Sequence, residues 1–249
     1  MARITLLGYG RMGKMIEACA LSRGHDIVAR YDNADADRPL PPESEVAIDF
    51  SQPSVAEANC LRALRQNIPV ASGTTGWDVS RVLAQARTSD APAFLHATNM
   101  SVGVNVVFAV NRLLAAALDG RGYGVEISET HHVHKLDAPS GTAITLAEGA
   151  VAEMADLNGW RLRTDESVAE DNHLPITATR EGEVIGLHEV TYTSAADAIT
   201  LRHEAFDRTG FALGAVLAAE YLIGKSGVFT MADVLGLGHF GHSEALGQA

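Results

Sequence analysis

Residues 2–24 read ARITLLGYGRMGKMIEACALSRG. ARITLLG is a short β-rich run, and RMGKMIEACALSRG has the spacing of a helix that stops at Gly24. Between them GYGRMG, residues 8–13, fits G-x-G-x-x-G, and a strand before and a helix after is the context this motif requires. In that setting Gly8 permits the tight turn, Gly10 lets a pyrophosphate approach the backbone, and Gly13 lets helix and strand pack closely. The helix start then turns amides and a partial positive charge toward the phosphates.

Outward from this unit the alternation continues. DIVARYD, VAIDF, IPVASGT and PAFLHATN read as strands, and SVAEANCLRALRQN and WDVSRVLAQARTS as helices. Repeated βα units predict an α/β fold with a Rossmann-type parallel sheet covered by helices on both faces. Past residue 102 the pattern changes. VNVVFAVNRLLAAALD and GTAITLAEGAVAEMA read as helices, while VEISETHH, WRLR, ITATRE, EVIGLHEVTYTS and AITLRHEAF read as strands, the last two as a hairpin. This predicts a second, α+β domain with a mixed or antiparallel sheet over 103–211. FALGAVLAAEYLIGKSG and TMADVLGL are helical, and residues 212–249 are expected to return to the first domain, 1–102.

The bulk numbers agree. At roughly 100–200 residues per domain, a chain of 249 residues holds one large or two modest domains. It is 47% hydrophobic with a formal net charge of −12, which argues against a nucleic-acid binder or an anionic-membrane binder. VNVVFAVNRLLAAALD, broken by Asn111 and Arg112, falls short of a membrane span. Cys19 and Cys60 form no CxxC pair and read as small buried hydrophobes. With no leader pattern at the start, a cytoplasmic location is expected.

Asp32 ends the second strand about 20 residues past the glycines, where a ribose-binding carboxylate is expected. Asn33 follows, and no arginine stands directly after it to hold a 2′-phosphate. That favours NADH over NADPH, although Arg30 and Arg11 lie near enough to keep NADPH open. Asp49-Phe50-Ser51, Gly73-Thr74-Thr75-Gly76 and Thr98-Asn99-Met100 end the next three strands, on the edge where doubly wound sheets bind ligands.

Residues 131–142, HHVHKLDAPSGT, carry the chemistry. Histidine exchanges protons near neutral pH, and Lys135 adds a positive charge. Ser140-Gly141-Thr142 starts a helix whose amides are capped by the serine and suited to an anion. A metal site is not expected: H-E-x-x-H is absent and the carboxylates lack a diagnostic spacing. A solvated histidine loop stays open as the plain alternative. Hydride from a nicotinamide and a proton from the protein together make a kit for reducing a conjugated or imine-like anion.

ETHHVHKLDAPSGTA, residues 129–143, closely resembles the signature of the dihydrodipicolinate reductase (4-hydroxy-tetrahydrodipicolinate reductase) family. GYGRMG, DFSQP, SGTTGW, TNMSVGVN and FALGAVLAAEYLIGKSGVFTMADVL extend the resemblance over nearly the whole chain. It implies NAD(P)H-dependent reduction of a cyclic dicarboxylate in lysine and diaminopimelate synthesis, by a homotetramer assembled through the second domain's sheets. It implies that His131 is the proton donor and Lys135 the second one. His132, Gly141 and Thr142 are then substrate contacts. The nucleotide contacts it implies are Gly8, Tyr9, Gly10, Arg11, Met12, Gly13, Asp32, Gly73, Thr74, Thr75, Thr98, Asn99, Met100 and Ser101. The departures are Ser51 where threonine is common, a compact loop after Asp32, and Asn33 where the family often carries a base. Another NAD(P)H-dependent reductase of a small dicarboxylate, and a non-catalytic dinucleotide sensor, are the rival readings.

Overall fold

The computed structural model describes residues 1–32, 38–164 and 172–238. Two compact units divide the described residues: Met1–Val102 with Arg208–Gly236, and Gly103–Asp207 with Leu237 and Gly238. Asn33, on which the cofactor reading leans, and residues 239–249 of the expected C-terminal return lie outside the described residues.

In the first unit β1 (Arg3–Leu7), β2 (Asp26–Tyr31), β3 (Val46–Asp49), β4 (Val70–Ser72) and β5 (Phe94–His96) alternate with α1 (Arg11–Ser22), α2 (Pro53–Arg65) and α3 (Ser80–Ala86). The C-terminal segment adds α6 (Thr209–Leu222), β11 (Val228–Phe229) and α7 (Met231–Val234). The sheet runs β11-β5-β4-β3-β1-β2, with every pair parallel. Strands covered on both faces become continuous apolar runs, as β1 and β3 are. On one face Ile4, Leu6, Ile48 and Leu95 pack with Ile16 of α1 and Ala215, Ala219 and Leu222 of α6. On the other, Leu7, Ala47, Val70 and Phe94 pack with Cys60, Leu61 and Leu64 of α2 and Val82 of α3. Both cysteines are free thiols, Cys60 fully buried.

Three local features depart from the sequence reading. Strand β11 was not foreseen, because two residues show no period. Helix α3 begins at Ser80 rather than at Trp77: the Trp77 indole donates to the Thr74 carbonyl at 2.7 Å and Asp78 accepts from the Ser80 amide at 2.9 Å, holding residues 77–79 in a turn. Strand β2 carries a bulge. Ile4 pairs with Ile27 but Thr5 with Ala29, so Val28 is an extra residue. Ile27 therefore faces the α1 side, while Ala29 and Tyr31 face the α2 side.

The second unit holds α4 (Val102–Leu118, which starts at the boundary), β6 (Gly124–His131), α5 (Gly141–Val151), β7 (Gly159–Leu162), β8 (His173–Arg180), β9 (Gly186–Thr193) and β10 (Ala198–Ala205). Its sheet runs β10-β9-β6-β8-β7 and is mixed: β6–β8 and β7–β8 are parallel, β6–β9 and β9–β10 antiparallel. Val125, Ile127, Leu174, Ile176, Val190 and Tyr192 bury one face together with Leu146, Ala147 and Ala150 of α5 and Ala115 of α4. Asn111, the break in the long apolar run, is fully buried there. Its Nδ2 donates to the Leu146 carbonyl at 2.9 Å and its Oδ1 accepts from the Tyr192 hydroxyl at 2.7 Å, clipping α4 to α5 and the sheet.

Candidate active site

The parallel sheet presents its carboxyl ends as one edge. The connections leave β1 toward β2 on one side and β3 on the other, so the loops after β1 and β3 meet at the switch point where such sheets bind ligands. The three glycines do three different jobs there. Gly8 has φ +98°, and a Cβ on it would lie 2.3 Å from the Phe50 carbonyl oxygen in the loop after β3. A Cβ on Gly13 would lie 2.3 Å from the Gly8 carbonyl oxygen. Gly10 is different: nothing stands within 4 Å of a Cβ built on it. It is the N-cap of α1, and no side chain caps the helix among the described residues. Uncapped amides beside an open, side-chain-free surface fit a pyrophosphate. Arg11 and Asp32 are exposed at this edge.

The later loops are braced from inside. The Asp49 carboxylate is fully buried and accepts from the hydroxyls of Ser51 at 2.6 Å, Ser72 at 2.9 Å and Thr74 at 2.6 Å, and from Asn59 Nδ2 at 3.3 Å. Burial pushes its carboxyl up and the four donors oppose that, leaving a net rise. Thr74 also accepts from the Ser51 amide at 2.9 Å, so its side chain is a strut between two loops and only its backbone faces outward duty. Gly73 leaves room for the Phe50 ring, which would sit 2.2 Å from a Cβ there. Thr75 and Thr98 are exposed. Asn99 accepts from the Ser101 amide at 2.8 Å and Ser101 is buried. Met12 packs against the core and Met100 lies within it, only 1% exposed, so the Met100 side chain is structural.

In the second unit a cluster forms at the end of the helix-covered face. Period-two alternation puts Glu129 and His131 on that face of β6, and strand pairing sets His188 opposite Glu129 and Arg180 opposite His131. His131 Nδ1 meets Glu129 Oε2 in a close ion-pair contact. The other carboxylate oxygen faces Arg180 Nη2 at 3.0 Å and accepts from the Ser140 amide at 3.3 Å. Burial pushes the Glu129 carboxyl up, but the bond and charge of His131 and then those of Arg180 outweigh it, so its pKa falls below the ordinary value. The His188 ring stands edge-on to that of His131 at 5.0 Å, and its Nε2 shares a 3.1 Å hydrogen bond with the Ser140 hydroxyl. Burial first, and then the nearby His131 charge, push His188 down to about 3.

With Nδ1 committed, Nε2 of His131 is the exchangeable position. Gly186 leaves it space: a Cβ there would lie 3.1 Å from Nε2. Lys135 Nζ donates to both oxygens of Asp137 at 2.8 Å. Arg180 fastens this turn, with Nε donating to the Lys135 carbonyl at 3.3 Å and Nη2 donating to the Asp137 carbonyl. His132 is partly buried, whereas His134 is exposed and pairs with Glu183 at 3.3 Å. Ser140 caps α5 by accepting from the Ala143 amide at 3.2 Å, and Gly141 opens onto free space. Thr142 is partly buried on the same first turn.

Glu129, His131 and His188 bring ligand atoms within 4.8 Å of one another, as a metal site would. Both Glu129 oxygens face nitrogen partners, one oxygen His131 Nδ1 and the other Arg180 Nη2 and the Ser140 amide. The sequence assigns no role to Glu129, Arg180 or His188, and it sets Asp49 on the ligand-binding edge, where the carboxylate instead points inward to brace the loops. Only Glu129 left a signal, as the residue two before His131 on a strand.

Two family descriptions match the chain: "Dihydrodipicolinate reductase, N-terminus" over residues 2–100 and "Dihydrodipicolinate reductase, C-terminus" over 103–235. A 4-hydroxy-tetrahydrodipicolinate reductase of Christiangramia forsetii is 48% identical over 236 residues, 93% of this chain and 97% of that protein. One from Alkaliphilus metalliredigens is 32% identical over 92% and 96% of the two chains. A dipicolinate-bound dihydrodipicolinate reductase from Paenisporosarcina sp. TG-14 shares the fold with TM-score 0.75 at 22% identity, over 94% of this chain and 98% of that one.

Proposed function

The chain belongs to the dihydrodipicolinate reductase family, and from that premise we propose that His131 is its general acid, oriented by Glu129, with Lys135 as second proton donor. The protein is an NAD(P)H-dependent oxidoreductase that reduces 4-hydroxy-tetrahydrodipicolinate to tetrahydrodipicolinate in lysine and diaminopimelate biosynthesis. The Glu129–His131 contact carries the assignment of roles.

A bound nicotinamide supplies the hydride. Gly8, Tyr9, Gly10, Arg11, Met12 and Gly13 would hold the pyrophosphate, and Asp32 the ribose. The loops at Gly73–Thr75 and Thr98–Ser101 would complete the contacts, Met100 through its backbone. Ionised Glu129 keeps a proton on Nδ1, so Nε2 loads and delivers the proton that the reduced ring takes up. Charge-assisted bonds from Lys135 and the amides of Gly141 and Thr142 hold a substrate carboxylate, the acceptor that Asp137 offers Lys135 in this structure. His132 adds a donor beside it. Residues 1–102 with the returning C-terminal segment form the cofactor domain, and 103–211 the substrate domain. The enzyme acts in the cytoplasm as a homotetramer and prefers NADH.

The test is consumption of reduced nicotinamide with the substrate generated in situ, comparing the native enzyme with Lys135→Ala. The variant should show a raised KM for the dicarboxylate and a lowered kcat. An effect confined to the KM of the nucleotide would contradict the role given to Lys135.

A further inference from the structure

Strand β2 reaches the ribose-binding end with two charged residues, Arg30 and Asp32, of which only Asp32 has a role so far. The bulge at Val28 matters here. It turns Ala29 and Tyr31 toward α2 and thereby sets Arg30 on the α1 side. Asp32 follows Tyr31 just past the end of the strand and is exposed. An arginine so placed could reach a phosphate on the adenine ribose.

It is engaged elsewhere. Arg30 Nε donates to Glu17 Oε1 at 2.9 Å, and its Nη2 meets the same oxygen. The other Glu17 oxygen accepts from the Tyr9 hydroxyl. The guanidinium lies over the Tyr9 ring, 5.7 Å from its centroid. Tyr9 is the second residue of the glycine loop and Glu17 lies in α1, so the triad ties the pyrophosphate loop, the first helix and the second strand together. The Arg30 side chain is 40% exposed and that of Glu17 only 14%. The Arg30 bond first, and then the Tyr9 bond, hold Glu17 below the usual carboxylate range, so it stays anionic.

We infer that Glu17 is a specificity-determining residue: by holding Arg30 against α1 and Tyr9, it withholds from the adenine ribose the cation that a 2′-phosphate needs, and so favours a dinucleotide with a free 2′-hydroxyl. The inference rests on the dinucleotide reading of the glycine loop and deepens it. Glu17 acts through Arg30, neutralising the guanidinium and holding it on α1. Asp32 contributes the hydrogen-bond acceptor for the 2′-hydroxyl.

The experiment titrates ADP and 2′,5′-ADP into the full chain by calorimetry. The native protein should bind ADP. Glu17→Gln, which keeps the side-chain shape, should tighten 2′,5′-ADP about fivefold while ADP affinity changes by less than about twofold, as expected for one partly exposed charge pair undone. The gain should shrink with added salt and vanish in Glu17→Gln/Arg30→Ala. Equal effects on both nucleotides, loss of both, or a gain that survives removal of Arg30 would each overturn the inference. Failure of the native protein to bind ADP would overturn the dinucleotide reading itself, and the inference with it.

Discussion

His188 is held neutral inside the fold. Burial and the neighbouring His131 push its pKa from 6.5 to about 3, against the pull of Glu129. Unfolded, the imidazole takes up a proton near 6.5; folded, only near 3. Between those values the unfolded chain binds more protons, so stability rises with pH through that window and is lost as the solution is acidified. Each pKa unit corresponds to about 1.4 kcal/mol at most. Chemical denaturation at pH 7 and pH 5 should therefore show a loss of about 1–2 kcal/mol in the native protein that His188→Gln does not share. Equal losses in the two proteins would mean that His188 is not the group responsible. At this scale the sequence shows the chemistry of the site but not its support. His131, Lys135 and the Ser140 cap are visible as residue types in one short segment. Arg180 and His188 come to it through strand pairing with β6, and Asp49 gains its role only when Ser51 of the loop after it, Ser72 of β4, Thr74 of the next loop and Asn59 of α2 converge on it. No local pattern marks such partners.

At the scale of elements, the βα units and the hairpin of β9 and β10 are legible because their periods are long enough to count. The bulge in β2 and the two-residue β11 are not, since each is defined by a partner strand. The mixed sheet has a further property at this scale. One face is covered by α4 and α5, and the other presents polar rows: Thr191 beside Thr200, with hydroxyls 3.2 Å apart, and Arg202 paired to Glu189 at 3.3 Å. Among the described residues no helix covers that face, and it is the surface through which the proposed tetramer would assemble. Light scattering of the native protein should give four times the mass of one chain. The mass of a single chain would remove the assembly from the account.

For the whole molecule, the two units answer different demands. The first resembles many nucleotide-binding sheets, and its glycines can be read from steric need: two packed against backbone, one left open. The second is built to hold one imidazole. Glu129 fixes one ring nitrogen, Gly186 leaves space at the other, and Arg180 fastens both the carboxylate and the turn that carries Lys135. Among the described residues no helix is long and apolar enough to cross a membrane. The claim on which the rest depends is that His131 delivers the proton. It is tested most directly by kcat of His131→Ala at saturating substrate, with NADH affinity measured separately by calorimetry. The expected result is a fall in kcat of roughly 10²–10⁴-fold, the usual contribution of a positioned general acid, with the dissociation constant of NADH unchanged. Turnover equal to that of the native enzyme would contradict it.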